Sequence, residues 1–163
     1  MKKNILLIFL YGLASCGSTK QAAYTTAIAK NPCPQGGTCT VEVLKNKSLQ
    51  VLTDDFKRPY YHVVDAPGNV VVKYRYTKTA NPEISDSGYT EELVFETDST
   101  FNKLNAINSK LLFGIQCFCR GKAGYYTTKD AGMDFKKDVL YITLPDVVEG
   151  QRTKNVEIKF EHP

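Results

Sequence analysis

Most of the chain after residue 38 alternates between apolar and polar positions, which is the pattern of half-buried β-strands. The stretch "VVVKYRYT" at residues 70–77 shows it best, since one face collects Val70, Val72, Tyr74 and Tyr76. Similar runs lie between turn-forming residues at 38–45, 48–53, 59–64, 89–97, 112–119, 124–128, 139–144 and 155–160. Because strands do not alternate with helices, the pattern predicts an all-β fold, an antiparallel β-sandwich or small barrel of about eight strands.

One segment departs from this alternation and predicts a short helix or helical turn. In residues 98–112 the apolar side chains recur every three or four positions, at Phe101, Leu104, Ile107 and Leu111. This spacing is typical of one face of a helix. Asp98 or Ser99 precedes the run and is a suitable N-cap residue.

The beginning of the chain carries a targeting signal. Lys2 and Lys3 are followed by an unbroken apolar run from Ile5 to Leu10. That run is too short to cross a bilayer, which needs about 20 apolar residues. A basic start before a short apolar run is typical of a secretory signal peptide.

The residues that end this run indicate which kind of signal it is. Leu13-Ala14-Ser15-Cys16 resembles the lipobox of bacterial lipoproteins, in which a large apolar residue and two small ones precede a cysteine. The resemblance implies that a diacylglycerol is attached to the Cys16 thiol, that the signal peptide 1–15 is removed, and that the new amine is acylated. It also implies a lipid anchor in the bacterial cell envelope. Gly17 follows Cys16 in place of an acid, and by resemblance to the sorting rules of lipoproteins in two-membrane bacteria this implies the outer membrane, either the periplasmic face or the cell surface.

From Cys16 onwards we expect the chain to consist of a tether and one domain. Residues 16–31 are small and polar with few large apolar side chains, which predicts a flexible tether. Residues 32–163 have the length of a single β domain.

Four further cysteines predict two disulfides, because an even number in an exported domain is typical of cross-links. The C-x₅-C and C-x-C spacings do not suit zinc. On an extended strand Cys117 and Cys119 share a face with Cβ atoms about 6–7 Å apart, whereas a disulfide needs about 3.8 Å. We therefore expect Cys33 and Cys39 to pair crosswise with Cys117 and Cys119. The alternative is two local pairs, which requires a kink between Cys117 and Cys119.

The charge of the chain argues against nucleic acid as a partner. The whole sequence has a formal net charge of +4, and removal of Lys2 and Lys3 with the signal peptide lowers it by two. Lysines and acids are interspersed, and no basic stripe typical of nucleic-acid binding is present.

The sequence lacks the residues that most catalytic sites require. We therefore expect no enzymatic activity, no cofactor beyond the lipid on Cys16 and no metal. The two histidines are His62, which we interpret as a sheet-face residue, and His162, the penultimate residue. Asp54-Asp55 and Glu91-Glu92 are adjacent carboxylates, and adjacent residues of a strand point to opposite faces, unlike a glycosidase pair. We assign them to a solvated turn and a strand edge.

The tyrosines supply a candidate binding surface. In each of the pairs Tyr60-Tyr61 and Tyr125-Tyr126, one ring should face the core and the other the solvent, where it can stack on a sugar or anchor a protein contact. The second pair follows Arg120 and Lys122 in "FCRGKAGYY". The candidate surface therefore consists of Tyr60, Tyr61, Arg120, Lys122, Tyr125 and Tyr126.

Together these features predict a non-catalytic, membrane-anchored lipoprotein that acts as an accessory subunit and binds another envelope protein. A carbohydrate- or small-ligand-binding module is one alternative. An inhibitor of an envelope hydrolase is another, since "SDSGY" at 85–89 faintly resembles a loop of the β lipoproteins that inhibit lysozyme. That resemblance is too short to carry over any site residue.

Overall fold

The computed structural model describes residues 26–161 apart from Pro32, Ser85 and Lys103. The predicted signal peptide, the predicted lipidation site Cys16, residues 16–25 of the predicted tether, Ser85 of "SDSGY" and His162 lie outside the described residues. The described chain forms strands and no helix: β1 (Thr26–Ala29), β2 (Gly37–Thr53), β3 (Pro59–Lys78), β4 (Tyr89–Asp98), β5 (Leu112–Cys117), β6 (Gly124–Thr127), β7 (Gly132–Lys136), β8 (Val139–Thr143) and β9 (Asn155–Glu161).

The strands form two antiparallel sheets, which confirms the predicted β-sandwich. The five-stranded sheet has the order β2-β3-β4-β5-β6, so each strand pairs with its neighbour in the chain. The four-stranded sheet has the order β1-β9-β8-β7, so the first strand of the chain lies beside the last. Side chains from both inner faces form one apolar core, as expected when two sheets pack face to face.

The main core confirms the alternation read from residues 70–77. Val70, Val72, Tyr74 and Tyr76 are all at most 1% exposed and pack against residues of the four-stranded sheet such as Ile158. Burial of a side chain of this size stabilises the fold by about 1.5–3 kcal/mol. The inner face of β3 is therefore a central part of the core.

A bulge divides the long β2–β3 hairpin into two halves. The register shifts at Asn46, which stands opposite residues 66–69 of β3. Asn46 and Gly68 both have positive φ, 55° and 87°, and the Gly68 N–H donates a 3.2 Å hydrogen bond to Asn46 Oδ1. The Pro67-Gly68 turn that the sequence indicates is thus part of a four-residue bulge inside β3.

Beyond this bulge the hairpin folds back over the outer face of its own sheet. We call residues 47–65 the arm. Its Leu49 is buried in a second apolar cluster with Val71, Val94 and Leu112 of the sheet beneath. The arm therefore forms a third layer, and it covers a face that a simple sandwich would leave to solvent.

The prediction of a short helix between Asp98 and Leu112 is wrong, because successive turns occupy this segment. A single helical turn is present, in which the Ser109 N–H donates to the carbonyl of Asn105 at 2.9 Å. Oδ1 of Asp98 accepts hydrogen bonds from Thr100 N and Asn102 N at 3.0 and 3.2 Å. Oδ1 of Asn105 accepts from the two N–H groups that follow Ala106. Short polar side chains that bond nearby backbone in this way compete with a helix.

The tether prediction is also wrong at its end. Thr26–Ala29 lie within the predicted tether of residues 16–31, but they form β1 and pair with β9 from Thr26 opposite Glu161 to Ala29 opposite Ile158. Ala27 and Ala29 pack against the main core, and such small side chains gave little apolar signal in the sequence.

The crosswise disulfide pairing is wrong, and the two bonds are Cys33–Cys39 and Cys117–Cys119. Cys39 is in β2 and Cys117 is in β5, with β3 and β4 between them. Three strand spacings of about 4.8 Å separate these strands, far more than a disulfide spans. β5 ends at Cys117 and the chain bends at Phe118, which brings the Cα atoms of Cys117 and Cys119 to 5.2 Å.

Candidate functional site

Both disulfides lie at one end of the sandwich, which we call the disulfide end. In the five-stranded sheet, the pairs Gly37–Lys78 and Tyr89–Cys117 mark this end. The loop after β8 reaches the same end, because the N–H groups of Arg152 and Thr153 bond the carboxylate of Glu91, each at 2.7 Å.

The first described strand enters from the opposite end. Thr26 pairs with Glu161, next to Phe160, whose N–H bonds the carbonyl of Asp138 in the β7–β8 turn. The chain then runs along β1 towards Asn31, which bonds Asn155 at the start of β9. Cys33 follows at the disulfide end.

The arm returns to the disulfide end and completes a cleft there. Its tip, residues 54–58, lies beside the segment after the second disulfide, because the bulge reverses the direction of the hairpin. A cleft of about 670 Å³ separates the two, lined by Lys57, Arg58, Pro59, Gly121, Ala123, Gly124, Tyr125, Tyr126, Thr127 and Val147. Lys57 and Arg58 are the charged residues of this lining, so the cleft offers cations and tyrosine rings together.

The structure brings part of the predicted surface to this cleft. Tyr125 and Tyr126 line it. The Tyr126 hydroxyl donates to the carbonyl of Lys122 at 2.8 Å, and the Lys122 ammonium contacts Glu149 Oε2 at 3.0 Å. Arg120 is exposed on the same loop.

The other two predicted tyrosines do not line the cleft. Tyr60 is exposed on the arm, with its ring 5.5 Å from that of His62 in an edge contact. Tyr61 faces the opposite way, and its ring meets that of Tyr125 at 5.2 Å. One ring of the first pair is therefore covered and the other exposed, as predicted, whereas Tyr125 and Tyr126 are both half-buried.

A buried carboxylate holds Tyr61 and Tyr125 in place. Glu92 of β4 is 1% exposed and accepts hydrogen bonds from Tyr61 Oη at 2.7 Å, Tyr125 Oη at 2.8 Å and Arg75 Nη2 at 2.6 Å. Burial alone would raise the pKa of Glu92. The hydrogen bonds from Tyr61, Arg75 and Tyr125 outweigh this effect and lower the pKa of Glu92 below its ordinary value. Burial beside this carboxylate raises the pKa of Tyr125 to about 12.

The neighbouring carboxylate has a different role on the inner face. Glu91 is also 1% exposed and accepts a 2.6 Å hydrogen bond from Tyr89 Oη in addition to the two from the β8–β9 loop. The assignment of Glu91-Glu92 to a strand edge is therefore wrong, since β4 is the central strand. The prediction that the two point to opposite faces is confirmed, and Asp54-Asp55 lie in the exposed turn of the arm as expected.

Sequence reasoning missed the contribution of the arm tip to the cleft. Lys57 and Arg58 precede Tyr125 by more than sixty residues, and only the bulge at Asn46 brings them near. Pro67-Gly68 indicates a turn in the sequence. It does not indicate that the pairing of β2 with β3 continues on both sides of that turn.

Within the described ranges, no group of three or more His, Cys, Asp or Glu side chains is arranged to hold a metal ion. They contain no helix with the length and apolar character needed to cross a membrane. Comparison with known proteins matched no protein family, no curated protein and no solved structure.

Proposed function

We propose that this protein is a lipid-anchored lipoprotein of the bacterial outer membrane, without catalytic activity, and that it acts as an accessory subunit by binding another envelope protein through the disulfide end. The observation that carries the proposal is the placement of the two ends. Thr26 lies at one end of the sandwich, and the cleft, Arg120 and both disulfides lie at the other.

The distance from the membrane follows from the number of residues before β1. Ten residue steps separate Cys16 from Thr26 and span at most about 35 Å when fully extended. If Cys16 carries two or three acyl chains, the anchor is stable. The domain then stays near the lipid surface, and its disulfide end lies opposite the end at which the anchored segment joins the domain.

The chemistry of the disulfide end supports a protein as the ligand. Arginine and tyrosine are enriched among residues that contribute most to protein interfaces. Arg120 is exposed, Arg58 and Tyr126 line the cleft, and the Cys117–Cys119 disulfide closes the turn directly before Arg120. No resident cofactor is needed for this role.

The test joins the anchor and the partner in one set of strains. We would express the full chain with a tag after Pro163 in its native cells, label with palmitate, solubilise membranes gently and identify co-purifying proteins by mass spectrometry. We expect labelling that is lost in Cys16→Ser and retained in Ser18→Ala, with one envelope protein in stoichiometric amount. An unlabelled chain would contradict the anchor, and a labelled chain that purifies alone at every detergent strength would contradict the accessory role.

A carbohydrate- or small-ligand-binding module is the second candidate, and the cleft favours it. Its volume is about 670 Å³ and two tyrosines line it. However, the ring of Tyr125 already packs against that of Tyr61 at 5.2 Å, which leaves Tyr126 as the ring for stacking. A glycan array with the wild-type domain and Tyr126→Ala would test this, and binding that depends on Tyr126 would favour the glycan over the protein partner.

A further inference from the structure

Three large apolar side chains at the disulfide end are more than half exposed. Phe118, Phe56 and Ile84 are 86%, 80% and 58% exposed. They come from the β5–β6 loop, the arm tip and the β3–β4 loop, three segments that are far apart in the sequence. Single exposed apolar residues are normal on a protein surface. Several of them grouped at one end of a fold are typical of an interaction site. We call these three residues the apolar tips.

The fold explains why the tips converge. Phe118 follows Cys117, which pairs with Tyr89, and the loop that carries Ile84 ends at Tyr89. Phe56 precedes Lys57 and Arg58, which line the same cleft as the segment after Cys119. The tips therefore stand around the cleft end of the sandwich.

The tip at Phe56 is held by a capped turn. Its N–H donates to Asp54 Oδ1 at 2.9 Å, and the N–H of Arg58 donates to the same oxygen at 2.8 Å. The Arg58 guanidinium lies 5.2 Å from the centre of the Phe56 ring. The ring is thus exposed on an ordered turn.

The tip at Ile84 is held by bonds across its loop. The Ile84 N–H donates to the carbonyl of Asn81 at 3.1 Å. The Ser87 hydroxyl accepts from Asn81 N and donates to Asn81 O, both at 3.0 Å. These contacts close the loop at its base.

The tip at Phe118 is held covalently. It stands between the two cysteines of the Cys117–Cys119 disulfide, and the Lys122 N–H donates to the carbonyl of Cys119 at 3.2 Å. The disulfide therefore restrains the backbone on both sides of Phe118.

We infer that Phe56, Ile84 and Phe118 form a docking surface that inserts into apolar pockets of a folded protein partner. Aromatic side chains are enriched among the residues that dominate interface energies, and ordering the loops in advance lowers the entropy cost of association. The inference rests on the proposed function and names the residues by which that partner is bound.

The charges around the tips favour a protein over a lipid surface. In the sequence, Asp55, Lys57 and Arg58 flank Phe56, acids at positions 83 and 86 flank Ile84, and Arg120 follows Phe118. An anionic membrane attracts clusters of one sign, and it would repel the acids next to Phe56 and Ile84. A protein surface can match charges of both signs.

The experiment places a photo-crosslinking amino acid, p-benzoylphenylalanine, at position 56 or 118 of the full lipidated chain in its native cells. Control positions are Ile107, which is 67% exposed at the opposite end, and Tyr141 on the outer face of the four-stranded sheet. We expect one and the same protein adduct from positions 56 and 118, at least tenfold stronger than from either control.

Alanine variants then test the energy of the contact. Phe56→Ala and Phe118→Ala should each lower co-purification of the adducted protein at least tenfold without a change in thermal unfolding, whereas Ile107→Ala should not. Retention of the partner by the double variant Phe56→Ala/Phe118→Ala would overturn the inference.

The remaining outcomes separate the inference from the proposed function. A partner that crosslinks from position 107 or 141 and not from the tips would overturn the inference and leave the accessory role intact. Adducts with a second copy of the chain, or with lipid, would overturn the inference in favour of those occupants. A lipidated chain with no adduct at any position and no co-purifying protein would contradict the proposed function itself.

Discussion

The hydroxyl of Tyr61 donates a 2.7 Å hydrogen bond to Oε1 of Glu92, although 31 positions separate them in the chain. Tyr61 belongs to the arm and Glu92 to the central strand of the five-stranded sheet. Tyr125 of the edge strand β6 donates to the same oxygen at 2.8 Å. One buried carboxylate therefore connects the arm, the centre of the sheet and its edge.

Tyr61→Phe should loosen the arm. The substitution keeps the ring against Tyr125 but removes one donor from the buried carboxylate of Glu92, so we expect a loss of about 1–2 kcal/mol in the free energy of unfolding. Urea denaturation gives this value, and hydrogen exchange should show faster exchange in residues 47–65. Tyr60→Phe is the matched control on the exposed side of the arm and should change neither; equal effects of the two variants would show that the hydrogen bond does not hold the arm.

Glu92→Gln should weaken the fold at neutral pH and flatten its acid sensitivity. The pKa of Glu92 is lower in the folded chain than its ordinary value, so this carboxylate stabilises the fold above the unfolded pKa of about 4.3. That contribution is lost as pH falls through the still lower folded pKa. We expect a loss of about 2–3 kcal/mol at pH 7, since hydrogen bonds to charged groups are the strong ones.

The measurement is the free energy of unfolding between pH 7 and pH 3 for wild type and Glu92→Gln. The two curves should approach each other as the pH falls. Glu83→Gln, on an exposed loop, should follow the wild-type curve. Parallel curves for wild type and Glu92→Gln would mean that Glu92 does not carry this acid sensitivity.

The sequence predicted the sheets better than the connections between them. Alternation marked Val70 to Tyr76 as a strand because packing and periodicity agree there. It missed Thr26–Ala29, because small side chains give a weak apolar signal even when they pack on the core. It predicted a helix around Ile107, because periodicity does not show that Asp98 and Asn105 bond the backbone in turns.

The candidate site was predicted only where it is local. Arg120, Lys122, Tyr125 and Tyr126 are close in the sequence, and the structure places them on one loop and strand beside the cleft. The other wall comes from the arm, and the fold-back that places it depends on the bulge at Asn46. Such a long-range contact leaves no periodic trace in a single sequence.

Gly114→Ala should disturb the hydrogen bonds around Glu92 by displacing Tyr125. A Cβ at position 114 would overlap the ring of Tyr125, and that ring is fixed by its hydrogen bond to Glu92. Overpacking of this kind costs about 1–3 kcal/mol, which thermal or urea unfolding would measure. Gly132→Ala is the matched control in a strand, because its Cβ would meet only Thr143 at 3.8 Å; an equal loss from both variants would contradict the role of the Tyr125 contact.

Non-reducing peptide mapping should recover Cys33 linked to Cys39 and Cys117 linked to Cys119, and no crossed pair.

The two bonds should also differ in what they contribute to stability. In the chain-entropy model, closure of a seven-residue loop stabilises by about 2.4 kcal/mol and closure of a three-residue loop by about 1.6 kcal/mol. Cys33→Ser/Cys39→Ser should therefore unfold at lower urea concentration than Cys117→Ser/Cys119→Ser. The second double variant should mainly change the loop that carries Phe118, seen as altered local hydrogen exchange, and a global loss larger than that of the first would contradict a local role for this disulfide.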